Sequence, residues 1–171
     1  MKKKWHFIFF SLYKLDYKLH LLFNKINPIL LIYKIPVIDR YYKKKGISLI
    51  ERLNHVYSNK NFGFSVFSAF YIIHTFLCCI LFTIIILLLL LFQIKIEFEP
   101  FWVVIIMIFA ICLNYFLLLK TEQYKESFIE FETENSEKLK KYHVLNYVLI
   151  IISFIAFYYS LITYSEYYNS I

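Results

Sequence analysis

The sequence predicts an all-α integral membrane protein. Three transmembrane helices follow an N-terminal amphipathic, interfacial helical region, and a helical hairpin extends on the cytoplasmic side between spans 2 and 3. Three observations predict this. Apolar residues make up 60% of the 171-residue chain and aromatics 22%, against two glycines and three prolines, more apolar surface than a soluble domain of this size can hide. Three apolar runs reach the ~20 residues that cross roughly 30 Å of hydrocarbon. The basic side chains are also unevenly placed: 13 of 19 lie in residues 1–65, five in 120–143, and one, Lys95, in the loop between the first two runs.

The chain therefore divides into a basic cytoplasmic or interfacial region, residues 1–65, and a three-helix transmembrane domain, residues 66–171. The spans are 66–92, 100–119 and 144–164. Each must be helical, because hydrocarbon offers backbone polar groups no other partner. Placing 18 of the 19 cations on one side puts the N-terminus in the cytoplasm and the C-terminus outside, following the positive-inside rule. Phe98, Phe101 and Trp102 then mark the outer end of the first hairpin, and Tyr164, Tyr167 and Tyr168 that of the third span. Lysine outnumbers arginine 17 to 2, a bias that AT-rich coding also produces, so position carries more weight than number.

Along the chain, the start MKKKWHFIFFSLYKLDYK imitates a signal peptide. Lys14 cuts its apolar run short and no small-x-small site follows, so the segment is expected to be retained. Residues 4–26 form an amphipathic helix whose basic arc holds Lys4, Ser11, Lys14, Lys18 and Lys25, with Phe7 and Leu22 intruding. Lys14, Lys18 and Lys25, with the run Lys43, Lys44 and Lys45, are the candidate contacts to anionic headgroups. Asn27-Pro28 breaks this helix, and Pro36 starts another that ends at Gly46. Ser48 and Glu51 form a capping box before a helix over 49–58. NKNFG turns the chain into the first span, with Gly63 expected to take a special dihedral. After Leu119 the helical pattern continues, placing Glu122, Glu126 and Glu130 on one acidic face as candidates for docking on the basic N-terminal region. TENS is the turn of the hairpin, with Phe128 or Phe131 packing near Leu139 and Tyr142.

Within the bilayer, helices associate through close packing and polar contacts. The third span carries a heptad seam of Asn146, Leu149, Ser153, Ala156, Ser160 and Thr163. The first carries Ser68, Ile72, Thr75, Cys79 and Thr83, and the second Met107, Ala110 and Asn114. His74, Asn114, Asn146, Ser153 and Ser160 are the candidate intramembrane polar or gating residues, an ionisable group in hydrocarbon being the first functional suspect. His74 and Cys78 share a face, but Cys79 points elsewhere and Cys112 lies on another helix. That falls short of four tetrahedral ligands, so no metal and no cofactor is expected. The three cysteines read as packed thiols.

No HExxH, GxSxG, P-loop or dinucleotide fingerprint occurs, and no carboxylate lies within a span. No catalytic residues are expected, and the chain is read as not an enzyme. The expected function is a small inner-membrane or plasma-membrane adaptor or accessory subunit presenting a cytoplasmic platform to a partner. A homo-oligomeric pore or membrane-disturbing effector, of the toxin or antiviral-defence kind, is the alternative. The expected partners are the bilayer with its anionic inner leaflet and either further copies of the chain or a larger membrane or cytoplasmic protein; nucleic acid is not expected.

Overall fold

Among the described residues every regular element is a helix. The computed structural model describes residues 2–33, 35–46, 48–61, 63–120, 123–134 and 136–170, and the backbone alone for Ile29, Leu49, Leu119, Ser136 and Lys138. The helices are α1 (Lys2–Ile26), α2 (Pro28–Tyr33), α3 (Pro36–Lys44), α4 (Leu49–Ser58), α5 (Phe64–Leu91), α6 (Pro100–Asn114), α7 (Gln123–Thr133) and α8 (Ser136–Asn169). α6 runs on through one π-helical turn, Tyr115–Leu119. Three segments are long and apolar enough to cross a membrane: Phe64–Leu91, Pro100–Leu118 and Leu139–Asn169. Only 22%, 22% and 17% of their apolar windows is buried within the chain.

Helix boundaries follow local chemistry. Pro28 opens α2, a short helix that the sequence reading treated only as a break, because proline at the first helical position forfeits no hydrogen bond. Ser48 Oγ accepts from the Glu51 amide at 3.4 Å and caps α4. α5 stops where Gln93 takes φ 54°, with Ile94 N donating to Leu89 O at 2.9 Å and Gln93 N to Leu90 O at 3.2 Å, a Schellman ending on a residue other than glycine. Gly46 has φ +66°. Gly63 has no positive φ; it is required instead by close approach, since a Cβ there would stand 2.2 Å from the Asn59 carbonyl oxygen. The π turn is closed by Lys120 N on Tyr115 O at 2.9 Å; α7 begins at Gln123, and the join between them, like the middle of the expected TENS turn, lies outside the described residues. α8 runs unbroken for 34 residues.

Contacts divide the chain into two compact units: Met1–Ile8 with Ile72–Ile171, and Phe9–Tyr71. In the second unit, α1 is tied to its neighbours by polar groups. Tyr13 OH donates to Ser58 O at 2.8 Å and Ser68 Oγ to Asp16 Oδ1 at 2.7 Å. His20 Nε2 lies 2.8 Å from Asn24 Nδ2, and its ring stacks on Tyr57 with centroids 3.5 Å apart. Phe9, Phe10, Ser11, Leu12 and Tyr13 are all buried. Five consecutive buried residues cover every side of a helix, so the middle of α1 is not a one-sided surface helix, and Ser11 leaves the basic arc for the interior. The end of α1 is different: Leu22, Phe23 and Ile26 are exposed.

In the first unit the expected seams are met in part. On α8 Asn146, Ser153 and Ser160 are buried or half-buried, with Ile150, Phe157, Tyr164 and Tyr167 beside them, while Leu149, Ala156 and Thr163 are exposed. The reason is bulk. Phe157 meets Phe82 at 5.9 Å and Tyr164 meets Phe98 at 5.4 Å, and ring contacts of this kind bury far more surface than alanine or threonine. On α5, Cys79 is buried and Ile72 and Thr83 are half-buried as expected, while Thr75 is exposed and Ile73 and Phe76 are buried beside it. On α6, Ile106 replaces Met107 beside Ala110 and Asn114. Tyr164 faces inward, not outward as an interfacial aromatic: its hydroxyl accepts from Ile96 N at 2.9 Å and donates to Ile96 O at 2.7 Å, pinning the loop. Lys95 Nζ donates to Tyr168 O at 3.1 Å, a cation at a helix C-terminus where the macrodipole favours it.

Candidate functional site

Positions 3, 6 and 7 fall on one face of a helix by the three- and four-residue rule. On α1 that face, Lys3, His6 and Phe7, meets α7 and the start of α8. Phe7 sits edge-on to Phe131 at 5.0 Å and to Tyr142 at 6.2 Å, and its ring stacks on His143 at 5.2 Å. The expected approach of Phe131 to Tyr142 is thus mediated by Phe7, whose intrusion into the basic arc has this purpose. Phe128 is fully buried and packs edge-on against Tyr124 at 5.6 Å. Trp5 stacks on Phe76 of α5 at 6.1 Å.

His6 joins three elements. Its Nε2 lies 3.1 Å from the carbonyl oxygen of Leu117, in the π turn, and its Nδ1 lies 2.9 Å from Ser127 Oγ on α7. A carbonyl can only accept, so Nε2 carries the proton. In the neutral ring Nδ1 then accepts from the Ser127 hydroxyl. His6 is only 3% exposed. Burial pushes its imidazole below the usual histidine range; the Leu117 carbonyl opposes this and the Lys2 charge reinforces it. Burial thus favours the neutral ring, in which Nε2 donates and Nδ1 accepts. Beside it Lys3 Nζ pairs with Glu130, whose acceptor oxygen raises the ammonium above its usual range. A cavity of about 310 Å³ opens here, lined by Lys2, Lys3, His6, Glu126, Ser127 and Glu130.

Of the acidic candidates, Glu130 reaches Lys3 and Glu126 lines the same cavity; Glu122 lies outside the described residues. The basic candidates belong to the other unit. Lys14 is half-buried, 5.3 Å from the centre of the Phe10 ring, while Lys18, Lys25, Lys43, Lys44 and Lys45 are exposed. Lys43 pairs with Asp39 at 2.8 Å, and Lys45 lies over the Tyr41 ring at 4.4 Å.

The polar residues of the spans split into two kinds. Ser153 Oγ donates to Ile150 O at 2.7 Å and Ser160 Oγ to Phe157 O at 2.8 Å, so each hydroxyl is satisfied by its own helix. Asn146 is buried on α8. Asn114, fully buried just before the π turn, has neither amide atom hydrogen-bonded among the described residues. His74 has Nε2 at 3.7 Å from Cys78 Sγ and Nδ1 buried without a partner. Among the described residues no group of three metal-ligating side chains converges.

His6, Ser127 and Lys3 are not among the residues the sequence singles out. The one signal it offers is Phe7, an aromatic misfit in a basic arc, with a histidine next to it. No family model, curated protein or solved structure matches this chain.

Proposed function

We propose that the chain is a multi-pass protein of the inner or plasma membrane, N-terminus cytoplasmic and C-terminus outside, that acts as a non-enzymatic adaptor or accessory subunit. The single observation that carries this reading is the docking of residues 2–8 on α7 and the start of α8. A terminus held by a histidine, an ion pair and an aromatic slot makes a fixed surface; a membrane-disturbing arm needs a free one. The distribution of basic residues supports the orientation. The apolar windows, mostly unburied within the chain, require lipid or a partner around them.

A second reading, a homo-oligomeric pore, is favoured by Asn114 and His74, whose buried polar atoms have no partner among the described residues and could find one in further copies. Purification in mild detergent, followed by mass and composition of the complex, separates the two. An adaptor brings a stoichiometric different protein and leaves liposomes tight. A pore gives a homo-oligomer and ion leakage that changes with His74→Leu or Asn114→Leu. A tag at the C-terminus that proved cytoplasmic would overturn the orientation.

A further inference from the structure

Beside the docked N-terminus a groove of about 520 Å³ runs along α8. Leu139, Tyr142, Leu145 and Leu149 line it at three- and four-residue steps with Phe7 and Phe131, and Lys3, Lys4, Glu134 and Asn146 add its polar groups, two cations against one carboxylate. From residue 139 to residue 149 at 1.5 Å per residue it is about 15 Å long. It begins in the charged first turns of α8 and ends inside the apolar segment that starts at Leu139. Tyr142, Leu145 and Leu149 are each about half exposed, so the groove stands open among the described residues. A second open groove of about 580 Å³ shares Tyr142 and Leu145 and carries Lys141.

We propose that this groove binds one anionic phospholipid, with its phosphate on Lys4 and an acyl chain along Phe7, Leu145 and Leu149. The proposal rests on the membrane reading above. Its warrant is the order of chemistry along a single groove: cation first, then hydrocarbon, in the direction that a lipid of the inner leaflet presents them. Lys3 is engaged by Glu130 and also feels Glu134. Lys4 is exposed and makes no ion pair among the described residues, which leaves its charge available. Headgroup preference and apolar seating are therefore separable.

The test uses the full chain in mild detergent with equal amounts of phosphatidylglycerol and phosphatidylcholine, read by native mass spectrometry. Wild type is expected to retain one phosphatidylglycerol in preference to phosphatidylcholine by roughly fivefold, the scale of one lysine near an anionic surface. Lys4→Glu should abolish the preference, and Leu149→Trp, which fills the groove, should lose retained lipid of both kinds. An absent preference in wild type, a preference that survives Lys4→Glu, or retention unchanged by Leu149→Trp overturns the proposal. So does a photoreactive residue at position 149 that crosslinks stoichiometrically to a protein. A chain that stays in solution without detergent fails differently, because that result removes the membrane reading itself.

Discussion

Two regions of the same unit treat polar groups differently. Around the docked N-terminus, His6 has both ring nitrogens bonded and Lys3 and Glu130 are paired, with the Trp5 indole N–H the one buried side-chain donor of α1 that finds no partner among the described residues. In the apolar segments, neither amide atom of the fully buried Asn114 nor His74 Nδ1 has a partner among the described residues. A buried polar group left unbonded costs about 1–3 kcal/mol. The first region offsets its one unmatched donor with several bonds, while Asn114 offers nothing against its penalty.

The largest effect should come from emptying the docked region. Phe128→Ala removes a fully buried ring from α7, the helix that carries Ser127 and Glu130, and is expected to cost about 3–5 kcal/mol, the usual scale for a large-to-small core change. Loss of protease protection at residues 2–8, together with a lower melting temperature in detergent, checks it. The opposite sign is expected in the apolar segments. Asn114→Leu replaces an unbonded amide by an apolar group of similar volume and should raise stability by about 1–3 kcal/mol. A melting temperature that falls would mean the amide is satisfied in the assembled protein, and would move the contrast from the chain to its oligomer.

The three long apolar helices are legible because unbroken apolar runs of about 20 residues leave few alternatives to helix, and Pro100 announces the start of α6 directly. The capping serine at 48 was equally readable, since one hydroxyl and one amide suffice. Seam orientation is legible only in part. The heptad on α8 places Asn146, Ser153 and Ser160 correctly, but its other positions, Leu149, Ala156 and Thr163, are exposed, while the bulkier Ile150, Phe157 and Tyr164 are buried or half-buried. Ser153 and Ser160 lie on both lines, yet they bond within their own helix and so do not report what lies opposite. The docked N-terminus was hidden for another reason: His6 meets Leu117 and Ser127, more than a hundred residues away, and only the local misfit of Phe7 hinted at a partner. Why Asn114 should be buried unbonded has no account within the chain.

A smaller effect is expected from pH. The folded pKa of His6 is lowered, chiefly by burial, so the unfolded or undocked segment binds a proton more readily than the docked one. Docking is then fully stable above the unfolded value of about 6.5 and weakens as pH falls below it toward the folded pKa. Protection of the amides of residues 2–8, measured as exchange relative to the intrinsic rate at the same pH, should fall as pH drops below about 6.5. His6→Gln, which keeps a donor and an acceptor, should flatten that dependence. Wild-type protection that ignores pH would remove histidine from the tie.

The smallest effect belongs to the ion pair. Lys3 and Glu130 are 66% and 57% exposed at their side chains, so water and salt screen them, and exposed pairs of this kind contribute little to stability. Glu130→Lys alone should loosen residues 2–8 slightly at low ionic strength and not measurably at high salt. Lys3→Glu combined with Glu130→Lys should restore the wild-type exchange rate, because the swap returns the attraction with its direction reversed. If Glu130→Lys instead undocks the helix at every salt concentration, the acidic face of α7 holds the N-terminus by more than surface charge. His6 and Phe7 would then be accessory to it, and the docking of this region would rest on electrostatics after all.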